Sequence, residues 1–183
     1  MKIEVMRGLF SEEKCVQMVQ KMDYAIKTKQ TKIEYPNNRK GINAHSIHEL
    51  FPDEQLEVLY EVTDVVGEIL LPTYNFSRKY MKGSILRRHK DRPACEHSLT
   101  INFGIDEKPW TFYCEINDQI MGVDLEPGDA LYYTGQDVAH WREPLETEFC
   151  YQTFFHYVEK DGSCKDEAFE GIDREPREGI FKG

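Results

Sequence analysis

From Asn75 to Val158 the chain is a succession of short, aromatic-rich runs broken by Gly, Pro and Asp, and this texture most limits what it can become. The runs Ser77–Met81, Ile85–His89, His97–Phe103, Thr111–Ile116, Ala130–Tyr133, Val138–Arg142 and Phe149–Val158 read as strands. Their breaks fall at Lys82-Gly83, Gly104-Ile105-Asp106, Asn117-Asp118 and Pro127-Gly128-Asp129. Many short strands with regular turn signals predict a mainly β sandwich or jelly roll. At 183 residues the chain fits one domain with a sizeable core. The expected division is a helical buttress over 1–74, a jelly-roll core over 75–158 and a polar tail over 159–183.

Two helices are expected ahead of the strands, packed on the outer sheet. Ser11 can cap the first, with Glu12 and Glu13 at the positive end of its dipole and Cys15, Val19, Met22 and Ile26 at helical spacing. The second is expected from Pro52-Asp53 to about Leu70, with Leu56, Leu59, Val62, Val66 and Ile69 on one face. Between them Thr31 to Ser46, including Pro36-Asn37-Asn38 and Gly41-Ile42-Asn43, reads as a long connection, either a lid or a surface excursion. The net charge of −10 argues against nucleic-acid and anionic-membrane partners. No apolar run approaches a membrane span, and the N-terminus lacks the apolar segment of a signal peptide. Five cysteines, odd in number and without a C-x-x-C pair, fit reduced thiols, so a cytoplasmic location is expected.

Within the β region stands His89-Lys90-Asp91, followed about fifty residues later by His140. On an extended strand, residues i and i+2 share a face. A histidine from a distant strand would complete a 2-His-1-carboxylate set, which leaves coordination positions open and is the pattern of non-heme Fe(II) oxygenases. The triplet ends a strand begun after Gly83, and Pro127-Gly128-Asp129 introduces the strand pair leading to His140.

The stretch from Tyr80 to Val158, a little under half the chain, resembles the catalytic core of 2-oxoglutarate/Fe(II)-dependent oxygenases, nearest to the prolyl-4-hydroxylase-like branch. The matching pieces are Tyr80-x-x-Gly83, His89-x-Asp91, Pro127-x-x-Ala130-x-x-Tyr133, and His140 with Pro144 four residues on. The run His140-Trp141-Arg142-Glu143-Pro144 also looks like that of small phage and bacterial hydroxylase-like proteins. The resemblance implies a double-stranded β-helix, a distorted jelly roll in which His89, Asp91 and His140 bind Fe(II). It further implies 2-oxoglutarate as cosubstrate, O2 as oxidant, and hydroxylation of an unactivated C–H bond coupled to release of succinate and CO2. The nearest branch suggests a prolyl residue of a peptide or protein as substrate; related folds also act on small molecules.

The chain departs from the pattern at one place. Ten residues past the distal His, where such proteins carry a Lys or Arg for the far carboxylate of 2-oxoglutarate, stands Cys150. A buried carboxylate needs a paired charge or several donors. Arg142, two residues after His140, is the first-choice anchor, and Arg87, two before His89, is the second. Gln152, on the same strand face as Cys150, is expected to add a neutral donor, and Tyr80 to hydrogen-bond the cosubstrate.

Other chemistry-bearing residues have plainer readings. His45 and His48 read as loop histidines, and His97 and His156 as packing. Arg92 and Glu96 read equally as orienting groups or a surface pair. Trp110 and Trp141 read as packing residues, and Tyr132 and Tyr133 as sheet residues. Two other functions fit the same residues. One is a non-enzymatic jelly-roll binding protein with a vestigial metal site, which Cys150 favours. The other is a cupin-type metalloenzyme without an oxo-acid cosubstrate, against which Asp91 stands where a cupin carries His.

Overall fold

The computed structural model describes residues 2–36 and 41–170, which fold into two facing antiparallel sheets buttressed by helices. In chain order the elements are β1 (Ile3–Met6), α1 (Glu12–Lys27), β2 (Lys32–Glu34), β3 (Ala44–His48), α2 (Pro52–Glu57), α3 (Leu59–Val66), β4 (Leu70–Met81) and β5 (Leu86–His89). There follow β6 (His97–Ile105), β7 (Phe112–Ile116), β8 (Gln119–Val123), β9 (Ala130–Thr134), β10 (Ala139–Arg142) and β11 (Phe149–Glu159). The major sheet has the order β1-β9-β6-β11-β4-β3-β2 and the minor sheet β5-β10-β7-β8. This is the mainly β jelly roll expected from the strand texture, in the double-stranded β-helix form that the resemblance implies.

Ser11 caps α1 by accepting a hydrogen bond from the Lys14 N–H at 3.2 Å. The helix buries Cys15, Met18, Met22 and Ala25. With Phe51, Val58 and Val62 these side chains cover the outer face of the major sheet, meeting Leu99, Ile101, Phe103, Tyr151, Phe155 and Tyr157. Because β11 is covered by helices on one side and by the minor sheet on the other, Cys150 through Val158 are all buried. Central strands buried on both faces read as continuous apolar runs rather than alternating ones. Between the sheets lie two further clusters, one with Tyr80, Trp110, Cys150 and Phe154 and the other with Phe112, Cys114, Tyr133 and Val138. Trp110 is core, as expected, and its Nε1–H donates to the Glu143 carbonyl at 2.7 Å.

The second helix is two: α2 and α3 are separated at Val58, α3 stops at Gly67 in the left-handed conformation (φ 85°), and Leu70 begins β4. β4 thus starts seven residues before the expected Ser77, running through Pro72, which a strand tolerates beside the irregularity in the β11 pairing between Phe155 and Tyr157. The Thr31–Ser46 connection is not plain loop, since β2 and β3 form a hairpin that extends the major sheet by pairing with β4. The first 74 residues are therefore not purely helical; β1 pairs with β9, and the hairpin and the start of β4 also lie there. β8 was not expected, although its turn was: Asn117 and Asp118 both take positive φ, which a tight hairpin requires. Beyond β11 the chain makes a 3-10 turn at Lys165–Glu167 and returns to the sheet, where the Phe169 N–H donates to the Pro72 carbonyl. The Asn37-Asn38 turn and the polar tail beyond Glu170 lie outside the described residues. Among the described residues no helix is long and apolar enough to cross a membrane, and all five cysteines are free and buried.

Candidate metal centre and cosubstrate cleft

A cleft of about 730 Å³ opens between the sheets, lined among others by Tyr80, His89, Asp91, His140, Phe154 and His156. His89 ends β5 and His140 lies directly opposite it on β10, so antiparallel register places the two rings with centroids 4.3 Å apart. Asp91 follows two residues after His89, already beyond the strand. Its backbone N–H donates to the Gly135 carbonyl at 2.9 Å. The Asp91 Oδ1 then lies 3.5 Å from His89 Nε2 and 3.7 Å from His140 Nε2. The three residues offer ligand atoms that all lie within 4.8 Å of one another.

The hydrogen bonds of the two imidazoles leave a lone pair toward that space. His89 Nδ1 donates to the Arg87 carbonyl at 2.8 Å, and His140 Nδ1 donates to the Val138 carbonyl at 3.0 Å. A carbonyl can only accept, so the proton of each neutral ring sits on Nδ1 and Nε2 is free to ligate. His140 is 2% exposed and is held by Phe112, stacked at 5.2 Å, and by Tyr133 at 4.8 Å. Burial lowers its pKa, favouring the neutral form that a metal needs. For His89, burial also pulls the pKa down, but the Asp91 carboxylate and the Arg87 carbonyl outweigh it and leave it raised. Burial pushes Asp91 up, and the closeness of His89 and His140 more than reverses this, so it stays ionised.

The residues fit a divalent cation on independent grounds. Asp91 Oδ2 is sealed from solvent and has no hydrogen-bond partner, an arrangement that is costly unless something ligates the carboxylate. Gly135 leaves the room: a Cβ there would lie 2.8 Å from Asp91 Oδ2 and 2.2 Å from the Cys95 carbonyl oxygen.

Arg142, 3% exposed, pairs with Leu86 across β10 and β5 and borders an outer groove beside Arg87, not the cleft. It donates to the Trp110 carbonyl and, at 2.7 Å, to Gln152 Oε1, and its guanidinium lies 5.0 Å from the Trp110 ring centroid. All these partners are neutral, and burial lowers its pKa. Cys150 lies nearby and does not supply a charge, because burial pushes its thiol up to about 11. Gln152 Oε1 accepts from Arg142 and from Thr100 Oγ1, and its Nε2 donates to Cys150 Sγ at 3.5 Å. Tyr80 pairs with Cys150 across β4 and β11, lines the cleft, and its hydroxyl accepts from Arg78 at 3.2 Å.

Arg87 is corrected. Strand alternation places it beside His89, but the β5–β10 register shifts between His140 and Arg142, turning Leu86 toward the cleft and leaving Arg87 exposed in an outer groove with Arg88 and Trp141. The structure adds three cleft residues that the sequence reading passed over. Arg78 lines the cleft with a carboxylate partner, Glu34, at 2.9 Å. His156 lines it too, its Nδ1 2.8 Å from Ser98 Oγ, and so does His48, whose ring is tilted against Phe76 with centroids 4.4 Å apart. The first two were within reach, since period-two counting from Tyr80 gives Arg78, and from Gln152 gives Phe154 and His156. Arg92, at the mouth, pairs with Glu170 at 2.6 Å.

No family profile matches the chain, and no curated protein sequence does. Solved structures match it closely in shape. A Pseudomonas putida prolyl-4-hydroxylase superposes with a TM-score of 0.66 at 11% identity, over 84% of this chain and 91% of that one. HygX from Streptomyces hygroscopicus, solved with nickel and 2-oxoglutarate bound, gives 0.62 at 14% identity, over 87% of this chain and 83% of that one. A prolyl hydroxylase from Trichoplax adhaerens, in complex with a hypoxia-inducible-factor peptide fragment, gives 0.66 at 10% identity, over 94% of this chain and 87% of that one. The chain has the double-stranded β-helix fold of the 2-oxoglutarate/Fe(II) oxygenases.

Proposed function

We propose that the chain is an Fe(II)/2-oxoglutarate-dependent dioxygenase that hydroxylates an unactivated C–H bond, with a prolyl residue of a peptide as the first substrate to try. The observation that carries this reading is the convergence of two Nδ1-protonated imidazoles and one orphaned carboxylate at His89, Asp91 and His140. Such a set suits Fe(II) and leaves positions for an oxo-acid and for O2. When bound, the iron would supply the redox chemistry that couples decarboxylation of 2-oxoglutarate to oxidation of the substrate.

The chain's own residues would do the rest. His89, Asp91 and His140 hold the ion, with the Arg87 and Val138 carbonyls fixing the ring tautomers. Arg142 binds the far carboxylate of 2-oxoglutarate, doing from β10 what Cys150 cannot do from β11. Gln152 orients its guanidinium and Tyr80 adds a hydroxyl donor. Phe76, Leu86 and Phe154 give the cleft apolar walls. A peptide is favoured as substrate because the cleft is open and the Trichoplax neighbour of the same fold holds one.

Anaerobic titration of the Fe(II)-loaded protein with 2-oxoglutarate tests this directly. A saturable visible charge-transfer band, lost in His140→Ala, is the expected result. Iron bound without such a band would turn the reading toward a metal-bearing binding protein. Incubation with proline-containing peptides should then give a mass gain of one oxygen atom that requires both iron and 2-oxoglutarate.

A further inference from the structure

A second set of metal-ligating side chains lies outside the cleft. Glu96 follows the 3-10 turn Pro93–Cys95, His97 opens β6, and Glu159 ends β11; their ligand atoms all lie within 4.8 Å of one another. His97 is 5% exposed. Its Nδ1 is 2.8 Å from the Tyr132 hydroxyl, while its Nε2 is shut off from solvent and has no hydrogen-bond partner. That Nε2 faces Glu159 Oε1 at 3.4 Å without making a hydrogen bond to it. One Glu96 oxygen, Oε2, accepts from the Glu159 backbone N–H at 3.0 Å, and the Cys164 thiol also lies against the Glu96 carboxylate.

The arrangement is unfavourable as it stands. A protonated Nε2 beside a carboxylate would close to a short hydrogen bond, worth more than the longer contact seen. An unprotonated Nε2 presents a lone pair to two anions. A cation reconciles all three groups, and an N···O separation of about 3.4 Å is the edge of a tetrahedron with bonds of about 2.1 Å, the length typical of zinc. We infer that Glu96, His97 and Glu159 form a second metal site, for a divalent cation of the zinc class bound by one imidazole and two carboxylates. The site pins the ends of β6 and β11 to the turn that starts immediately after Asp91 and Arg92. Its role is structural: it fixes the base of the segment that presents the Asp91 carboxylate.

Metal stoichiometry measured by elemental analysis after equilibrium dialysis against Zn²⁺ tests the inference without any appeal to activity. The unsubstituted chain should bind about two equivalents, His140→Ala about one, Glu159→Gln about one, and the double variant none. Co²⁺ bound to His140→Ala should show tetrahedral d–d bands without the intense near-ultraviolet charge transfer of thiolate ligands. In that variant a hundredfold excess of Zn²⁺ over its dissociation constant should raise Tm by about 5 °C, and Glu159→Gln should abolish the rise. Equal stoichiometry with and without Glu159→Gln, or a thiolate-type cobalt spectrum, would overturn the assignment. Because His140→Ala removes only the cleft's ion, failure here and failure of the dioxygenase reading are separable.

Discussion

The two ends of the interior carry opposite electrostatic deficits. At one end an ionised Asp91 faces two imidazoles that need no proton on Nε2, leaving a net negative charge with a bare oxygen. At the other a buried guanidinium, Arg142, touches only neutral acceptors. By contrast Arg78, which lines the cleft, already has Glu34 against it. Burying a charge without its counter-charge is expensive. The two deficits fit the proposed ligand pair, a cation at the histidines and a carboxylate at the arginine, with Arg142 buried outside the residues that line the cleft. The matched Arg78–Glu34 pair lacks this demand, which is why Arg142 is assigned as the anchor.

The comparison can be broken at each point. Asp91→Asn cancels the deficit at the metal end and should weaken Fe(II) binding by more than the ~100-fold typical of losing an outer-shell partner, measured by competition with a chelating dye. Acid attacks the same end from within. Burial above all, against the opposing field of Asp91 and helped by the positive field of Arg92, holds His156 at about 4, below its ordinary value near 6.5. The unfolded chain therefore binds the proton more readily, so the contribution is complete above pH 6.5 and is lost as pH falls toward 4. The expected loss is at most about 3 kcal/mol, visible as a falling urea midpoint for the metal-free protein and blunted in His156→Gln. Arg142→Met should lower 2-oxoglutarate affinity by about 10- to 100-fold, the worth of charge-assisted hydrogen bonds, with iron affinity unchanged by isothermal titration. It should also leave the stability of the ligand-free protein within about 1 kcal/mol, since relief of a buried charge offsets the orphaned Trp110 carbonyl. Arg78→Met should change 2-oxoglutarate affinity by less than about threefold, within what a tenth of a pKd resolution detects easily. A larger loss there than at Arg142 would reverse the assignment.

Much of this was readable from the chain because it depends on local pattern. The β texture, the Ser11 cap and the meeting of His89, Asp91 and His140 follow from turn residues, capping chemistry and strand alternation. What was not readable depends on pairing. Arg87 was misplaced because alternation fails where the β5–β10 register shifts, and nothing in Leu86-Arg87-Arg88-His89 announces that shift. β2 and β3 read as loop because neither forms a stable ribbon alone; β3 is defined by the edge of β4, and β2 by β3. The second helix read as continuous because its apolar spacing crosses Val58 unbroken, while the turn there is set by packing against the sheet. His97 read as packing because burial and ligation look alike until the position of Glu159, sixty-two residues on, is known.

The carbonyl bonds that fix the two imidazoles have one more consequence. Both come from the residue two places earlier in the chain, Arg87 for His89 and Val138 for His140. A main-chain oxygen is the same for every amino acid, so these hydrogen bonds place no demand on the side chain at 87 or 138. Mutation can explore position 87, which faces solvent, without disturbing how His89 is aimed, whereas Val138 packs in one cluster with Phe112 and Tyr133, the rings against His140. The aim of the exposed ring is thus inherited with the strand geometry, and the side chain before it is free to drift.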